Sequence, residues 1–315
     1  MKINNAPLLK LQFLFLLFFV SFSAIAQEDR SYIKLSNPAY KEIPNHHTPV
    51  SKYGNTVTFA NLEIALKNPD AYFAANFYNS ALTVVPEEIF LFPNLREIDL
   101  SHNSISVLPD KFKGLQKLKE LHLADNKITS VGSEITACRN LEVLQLRNNP
   151  LKIVSKEIGE MSNLKELWIE NTDPSCVLPQ EIWDLYSIQK LRLMSANLTF
   201  IPPAISGFKV LDEICLSGNA ITTIPDEIYS LKNLTYLNLG NNKITTVSSL
   251  VKNLEHLDYL GVYGNPVSQL PAEIASLKEL SFLSCWLTNL PNSEIEKAKT
   301  ALPQAEVHAT NTDIH

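Results

Sequence analysis

Glycine is scarce in this sequence, 9 residues in 315. Glycine-rich loops that cradle phosphates are therefore not expected, and no GxGxxG, GxxxxGK or GxSxG run occurs. An excess of basic charge is also missing. Lys and Arg number 27 against 33 Asp and Glu, a net charge of −6, which excludes the clustered cations that nucleic-acid binding requires. The four cysteines are too few and too scattered for the cysteine-rich flanks of a disulfide-stapled domain. No HExxH or EF-hand loop stands anywhere, so no metal or cofactor is expected. What the chain does have is apolar content, 45% hydrophobic with 19% charged residues, enough for a large core and incompatible with wholesale disorder.

One long, almost wholly apolar run exists, and it lies at the start. Lys2 and Lys10 precede the apolar stretch 11–20, and Ala24-Ile25-Ala26 supplies a small-x-small cleavage pattern. Residues 1–26 read as a signal peptide cut before Gln27, the run being shorter than the roughly 20 residues that span a bilayer. No second such run follows, so no membrane span is expected in the mature chain. The expected location is periplasmic or extracellular.

The rest is periodic. LREIDLSHNSI (95–105), LKELHLADNKI (118–128) and LEVLQLRNNPL (141–151) share the pattern LxxLxLxxNxL, which returns at 211–221, 234–244 and 257–267. The first positions are Leu95, Leu118, Leu141, Leu164, Ile188, Leu211, Leu234, Leu257 and Leu280, stepping by 23 residues except for one step of 24 from Leu164 to Ile188. A fixed period of this kind marks a stacked-repeat architecture and overrides any domain count based on length. The pattern resembles the leucine-rich repeat family, in particular the 23-residue class with LPxxIxxLxxL in its second half, as in LPDKFKGLQKL (108–118) and LPAEIASLKEL (270–280). The resemblance implies an α/β solenoid, a curved horseshoe with a parallel concave sheet, an irregular or helical convex side and helical caps. It also implies a binding protein, not an enzyme.

The repeat assigns each position a task. Leucines of LxxLxL point into the solenoid and the intervening residues outward. Asn103, Asn126, Asn149, Asn219, Asn242 and Asn265 satisfy backbone groups in the turn after each strand. The prolines at 86, 109, 179, 202, 225, 271 and 291 begin the return leg. Two units break the asparagine pattern, with Thr172 and Ala196 at that position; Asn171 and Asn197, each one residue off, are the candidate substitutes. The boundaries follow: 1–26 signal peptide, 27–58 extended arm, 59–82 N-terminal cap, 83–292 repeats, and 293–315 C-terminal cap and tail. Ser293 with Glu296 reads as a capping box opening a helix that runs to Leu302, and 305–308 as a last strand. Cys138 and Cys285 are placed inward, Cys215 outward and Cys176 in the insertion, so free thiols are expected. Asn197 and Asn233 stand in NxT tripeptides, weak glycosylation signals.

Function has to lie on the outward strand positions, because the scaffold itself carries none. The N-terminal third of the concave face collects Glu97, Asp99, Glu120 and His122. Trp168, Arg192, Lys190 and Arg147 occupy the middle, and Tyr236, Tyr259, Tyr263, Phe282 and Trp286 the C-terminal third. Trp168, Arg192 and these five aromatics are the expected partner-binding set, read as exposed rings with gaps at Gly240 and Gly261 for a ligand side chain. A protein or peptide is the expected ligand. A carbohydrate or envelope polymer is the alternative, since rings also stack on sugars. The sequence leaves the oligomeric state open.

Overall fold

The computed structural model describes residues 51–309. The signal peptide 1–26, most of the arm (27–50) and the tail 310–315 lie outside the described residues. Twelve short parallel strands form one sheet: β1 (Thr56–Val57), β2 (Ala74–Asn76), β3 (Glu97–Asp99), β4 (Glu120–His122), β6 (Val143–Gln145), β8 (Glu166–Trp168), β9 (Lys190–Arg192), β10 (Glu213–Cys215), β11 (Tyr236–Asn238), β12 (Tyr259–Gly261), β13 (Phe282–Ser284) and β14 (Glu306–His308). A second, two-stranded sheet pairs β5 (Ser130–Val131) with β7 (Ile153–Val154) on the flank. The fold is a leucine-rich repeat solenoid.

Register follows the repeat. Ile98 lies opposite Leu121, Leu121 opposite Leu144, and Leu237 opposite Leu260, so identical repeat positions form straight columns at the ~4.8 Å strand spacing. The inward columns are fully buried; Leu118, Leu121, Leu123 and their equivalents show no exposure. Each such side chain contributes about 1.5–3 kcal/mol of burial, and the core is one continuous cluster from Val57 to Leu302.

On the convex side each repeat makes one short 3₁₀ turn, such as Asp110–Gly114 and Ala272–Ser276. Pro86, Pro109, Pro179, Pro202, Pro225 and Pro271 sit immediately before these turns with extended backbone, a position where the fixed φ costs nothing and no donor is needed. One repeat forms an α-turn instead, Ser133–Thr136.

Asparagine holds the other side. The Asn149 side-chain amide donates to the carbonyls of Leu123, Leu146 and Arg147 at 2.9, 3.0 and 3.3 Å and accepts from the Ile128 N–H at 3.0 Å. Asn126, Asn242 and Asn265 repeat this arrangement. The residue before each asparagine position has positive φ, from Asn79 (49°) and His102 (57°) through Asn148 (55°) and Asn241 (50°) to Leu287 (53°). This left-handed step turns the chain out of the strand.

Four expectations need correction. The arm does not stay apart through residue 58: Thr56–Val57 joins the sheet beside β2, and Ser51 bridges to Gly54. The last helix is Asn292–Ala301 with Pro291 before it, so Ser293 is not its cap and no side chain caps it. Proline sets this start as it sets the convex turns. Asn171 does not replace the missing ladder asparagine, because it occupies the left-handed position (φ 55°) and its amide reaches the Asn148 side chain. Nor does Asn197 stand in: its amide donates to the carbonyls of Asp173 and Cys176 in the insertion at 2.9 and 3.2 Å, not to the carbonyls of its own and the preceding strand that a ladder asparagine serves. Cys215, although on the concave face, is buried like the other three cysteines, and all four are free thiols.

Candidate functional site

The concave columns converge as the repeat requires, and the rings stack. Tyr236 lies over Tyr259 with centroids 4.3 Å apart and planes 20° from parallel. Tyr259 stacks on Phe282 at 5.5 Å, and Phe282 meets the His308 ring at 4.5 Å. In the next column Tyr263 and Trp286 stack at 5.2 Å, 2° from parallel. Register is the cause: one strand spacing is close to the thickness of two rings in contact.

Stacking also overturns the expectation of exposure. Tyr236, Tyr259, Tyr263 and Phe282 are all less than a tenth exposed, and of the C-terminal cluster only Trp286 is half-buried. The gaps expected at the glycines are filled from within. A Cβ on Gly240 would sit 2.2 Å from the Tyr263 ring, and one on Gly261 would sit 2.9 Å from the Tyr259 ring. These glycines exist to admit the tyrosines of their own sheet. Asn238 anchors the group, accepting from the Gly240 N–H at 3.0 Å and donating to the Tyr236 hydroxyl at 3.2 Å.

In the middle of the face the Arg192 guanidinium lies 4.7 Å from the centre of the Trp168 ring. Both its Nε and Nη2 reach Glu213 Oε1 at 2.5 Å. Trp168 is buried, and its indole N–H has no acceptor among the described residues. Arg147, Lys190, Met194 and Glu213 around it are partly exposed. The Cys215 thiol beside Arg192 is pushed up to about 12 by burial, which the nearby guanidinium only partly offsets.

The acidic third is not an open face. Ser51, Lys52 and Tyr53 lie across it: the Ser51 hydroxyl donates to Glu97, the Lys52 ammonium pairs with Glu120, and the Tyr53 hydroxyl donates to Glu120 at 2.8 Å. Burial pushes the Glu120 carboxyl up, but hydrogen bonds from His122, Lys52 and Tyr53 outweigh it and bring its pKa down to about 2. For His122 burial acts to lower the pKa, and hydrogen bonds with Glu120 and Gln145 raise it overall. Glu97, Glu120 and His122 bring one ligand atom each within 4.8 Å of one another. Lysine, tyrosine and serine already engage those carboxylates, so the trio is a hydrogen-bonded clasp. Sequence reasoning missed the clasp because nothing in the repeat pattern ties residues 51–53 to β3 and β4.

The sequence profile described as Leucine rich repeat matches residues 78–128, 116–173, 186–244 and 209–267, together more than half of the chain. No curated protein sequence matches. Among solved structures, the Arabidopsis receptor kinase HAESA, in complex with the peptide hormone IDA and the co-receptor SERK1, is similar with a TM-score of 0.60 at 22% identity; the match covers 74% of this chain and 40% of that one. The functional domain of InlJ from Listeria monocytogenes matches with a TM-score of 0.57 at 18% identity, covering 78% and 54%. The internalin InlF from the same species gives 0.51 at 17%, covering 81% and 90%. Identities this low describe a shared fold.

Proposed function

Because this chain belongs to the leucine-rich repeat family, we propose that it is an exported, non-enzymatic binding protein of the 23-residue class that recognises a protein or peptide on its concave face. Arg192 and Trp286 are the accessible part of the recognition site, and Trp168, Tyr236, Tyr259, Tyr263 and Phe282, each less than a tenth exposed, form the stacked layer behind them. The observation that carries the reading is the register-locked rank of rings. Side chains already fixed by stacking lose little entropy when a partner docks, and such pre-organisation improves affinity without new contacts. Trp286 and Arg192 are the parts of this rank a partner reaches first, both being only partly covered. Binding of a peptide hormone by HAESA supports the same use of this scaffold.

The stacking also favours a polypeptide over a sugar. The faces of Tyr259 and Phe282 already lie against neighbouring rings, so the flat surface that a pyranose needs is taken. The buried Trp168 N–H beside Arg192 offers a donor to a carbonyl or carboxylate once the guanidinium swings aside, and meeting it would recover part of the ~1–3 kcal/mol that an unmatched buried donor costs.

Affinity capture with the chain as bait tests the reading, compared with an Arg192→Gln, Trp286→Ala double variant. Both positions are partly exposed, so the fold is retained and a melting curve checks it. A defined polypeptide held by the parent chain and lost by the variant supports the proposal. Equal capture by both overturns the site. Release by free monosaccharide would instead identify a glycan ligand.

A further inference from the structure

Of the ten exposed large hydrophobic side chains among the described residues, five stand in one column and the other five are scattered. Val84, Val107, Ile153, Val177 and Phe200 are 68, 72, 64, 83 and 63% exposed, and all five occupy the same repeat position. With exposed Ser130 completing the series, they make one line of six repeats along the flank, just before each chain segment turns to the convex side. The line then ends: Thr223, Thr246 and Gln269 hold the position in the next three repeats. The two-stranded sheet β5–β7 lies at its centre and places Ser130 directly opposite Ile153.

We infer that this stripe is a two-fold interface with a second copy of the same chain. Three features select that occupant. The first is period. Apolar groups repeat at the strand spacing of ~4.8 Å, and a second copy presents the same groups at the same spacing, so every side chain meets a counterpart. Next comes charge. The chain is acidic, at −6, yet the residue preceding each member of the stripe is Thr, Ser, Lys or Cys and never a carboxylate. The flank is therefore where two like-charged molecules approach with least repulsion. Area is the third. Five such side chains in line reach the upper end of the ~300–600 Å² found for the largest apolar patch of a monomer. Doubled across a two-fold axis, they approach the ~1,000 Å² at which specific interfaces begin.

A two-fold interface is self-complementary, and that fixes the pairing. Antiparallel stripes set Val84 against Phe200 of the other copy, Val107 against Val177, and Ser130 against Ile153, with the axis passing between β5 and β7. The concave face stays open in such a dimer, so the assembly does not depend on the proposed ligand site.

Sedimentation equilibrium over a hundredfold range of protein concentration tests this, with Val107→Lys and Phe200→Lys as variants. Both positions are exposed, so the lysines are compatible with folding. The parent chain is expected to show a monomer–dimer equilibrium, and each variant a dissociation constant raised at least tenfold. The pairing is tested separately by mild oxidation of a Val107→Cys, Val177→Cys double variant. Within one chain these positions are three repeats apart, about 14 Å at strand spacing and too far for a disulfide, while the native cysteines are all buried. A covalent dimer from the double variant but not from either single variant supports the arrangement. A parent chain that is monomeric throughout the range, or equal cross-linking by the single variants, overturns it. Neither outcome bears on partner capture by the concave face, which its own variants decide.

Discussion

Replacing Asn149 by alanine tests whether the asparagine ladder is a structural necessity. Asn149 is fully buried and serves four backbone groups. The substitution removes the amide partner of the Ile128 N–H and of the Leu146 carbonyl; the Leu123 carbonyl keeps its bond from the Asn126 amide at 3.1 Å, and the Arg147 carbonyl keeps its bond from the Asp125 N–H at 2.7 Å. Two buried groups lose their match, at about 1–3 kcal/mol each when no water replaces it. Alanine leaves a space beside the turn in which one water can sit and recover part of the loss. The net expectation is a loss of about 2–4 kcal/mol, large against the 5–15 kcal/mol of an ordinary domain. Urea unfolding followed by circular dichroism reads it as a lower midpoint with little change in slope. A flattened slope would show that the array parts at this repeat, as nearest-neighbour coupling in solenoids permits. The decisive control is Asn197→Ala, which removes bonds only from the exposed insertion and should cost less than about 1 kcal/mol. Equal losses at the two positions would refute the reasoning.

Two other outcomes follow from the geometry. The clasp makes stability depend on pH at both ends. Glu120 has its folded pKa lowered to about 2 from an ordinary 4.5, so its contribution is complete above about pH 4.5 and is lost as pH falls toward 2. His122 has its folded pKa raised above an ordinary 6.5, so its contribution is complete below about pH 6.5 and is lost as pH rises through the folded value. Thermal melts should be highest between those limits; Glu120→Gln should flatten the acid limb and His122→Gln the upper one, and unchanged limbs would remove the clasp's role. Leu287 holds a left-handed backbone at φ 53° while half exposed, where Asn148, Asn171 and Asn241 stand in other repeats. Leu287→Asn should therefore stabilise by about 0.5–1 kcal/mol, and a lower melting point would contradict that.

The scaffold was legible because each of its parts is a local rule repeated. Leucine spacing, the asparagine turn and the proline before the return leg each recur every 23 residues, so nine strands align on the sequence alone. The N-terminal clasp was not legible, since Ser51, Lys52 and Tyr53 meet β3 and β4 through contacts 46 to 68 residues apart in sequence, with no periodic signal. The repeat aligns the concave aromatics in columns, but it does not show that stacking buries them. A column of Tyr236, Tyr259 and Phe282 reads as open surface when each strand is considered alone; only the stacking distance shows that each ring covers the next. Gly240 and Gly261 were misread for the same reason. The left-handed step before each asparagine escaped notice because His, Asp, Asn, Ser, Gly and Leu all fill it, and only the backbone shows what they share.

All four cysteines are buried in the native array, and burial holds the thiols of Cys138 and Cys285 up at about 11 and 12. Protonated and out of reach, they neither oxidise nor exchange readily once the chain has folded. The unfolded chain has no such protection. In an oxidising compartment, then, the solenoid's own assembly is the antioxidant. A molecule that closes its repeats quickly leaves no thiol to attack, whereas one held open at the Thr172–Ala196 interruption leaves Cys176, which lies inside it, open to wrong cross-links that would hold the repeats apart.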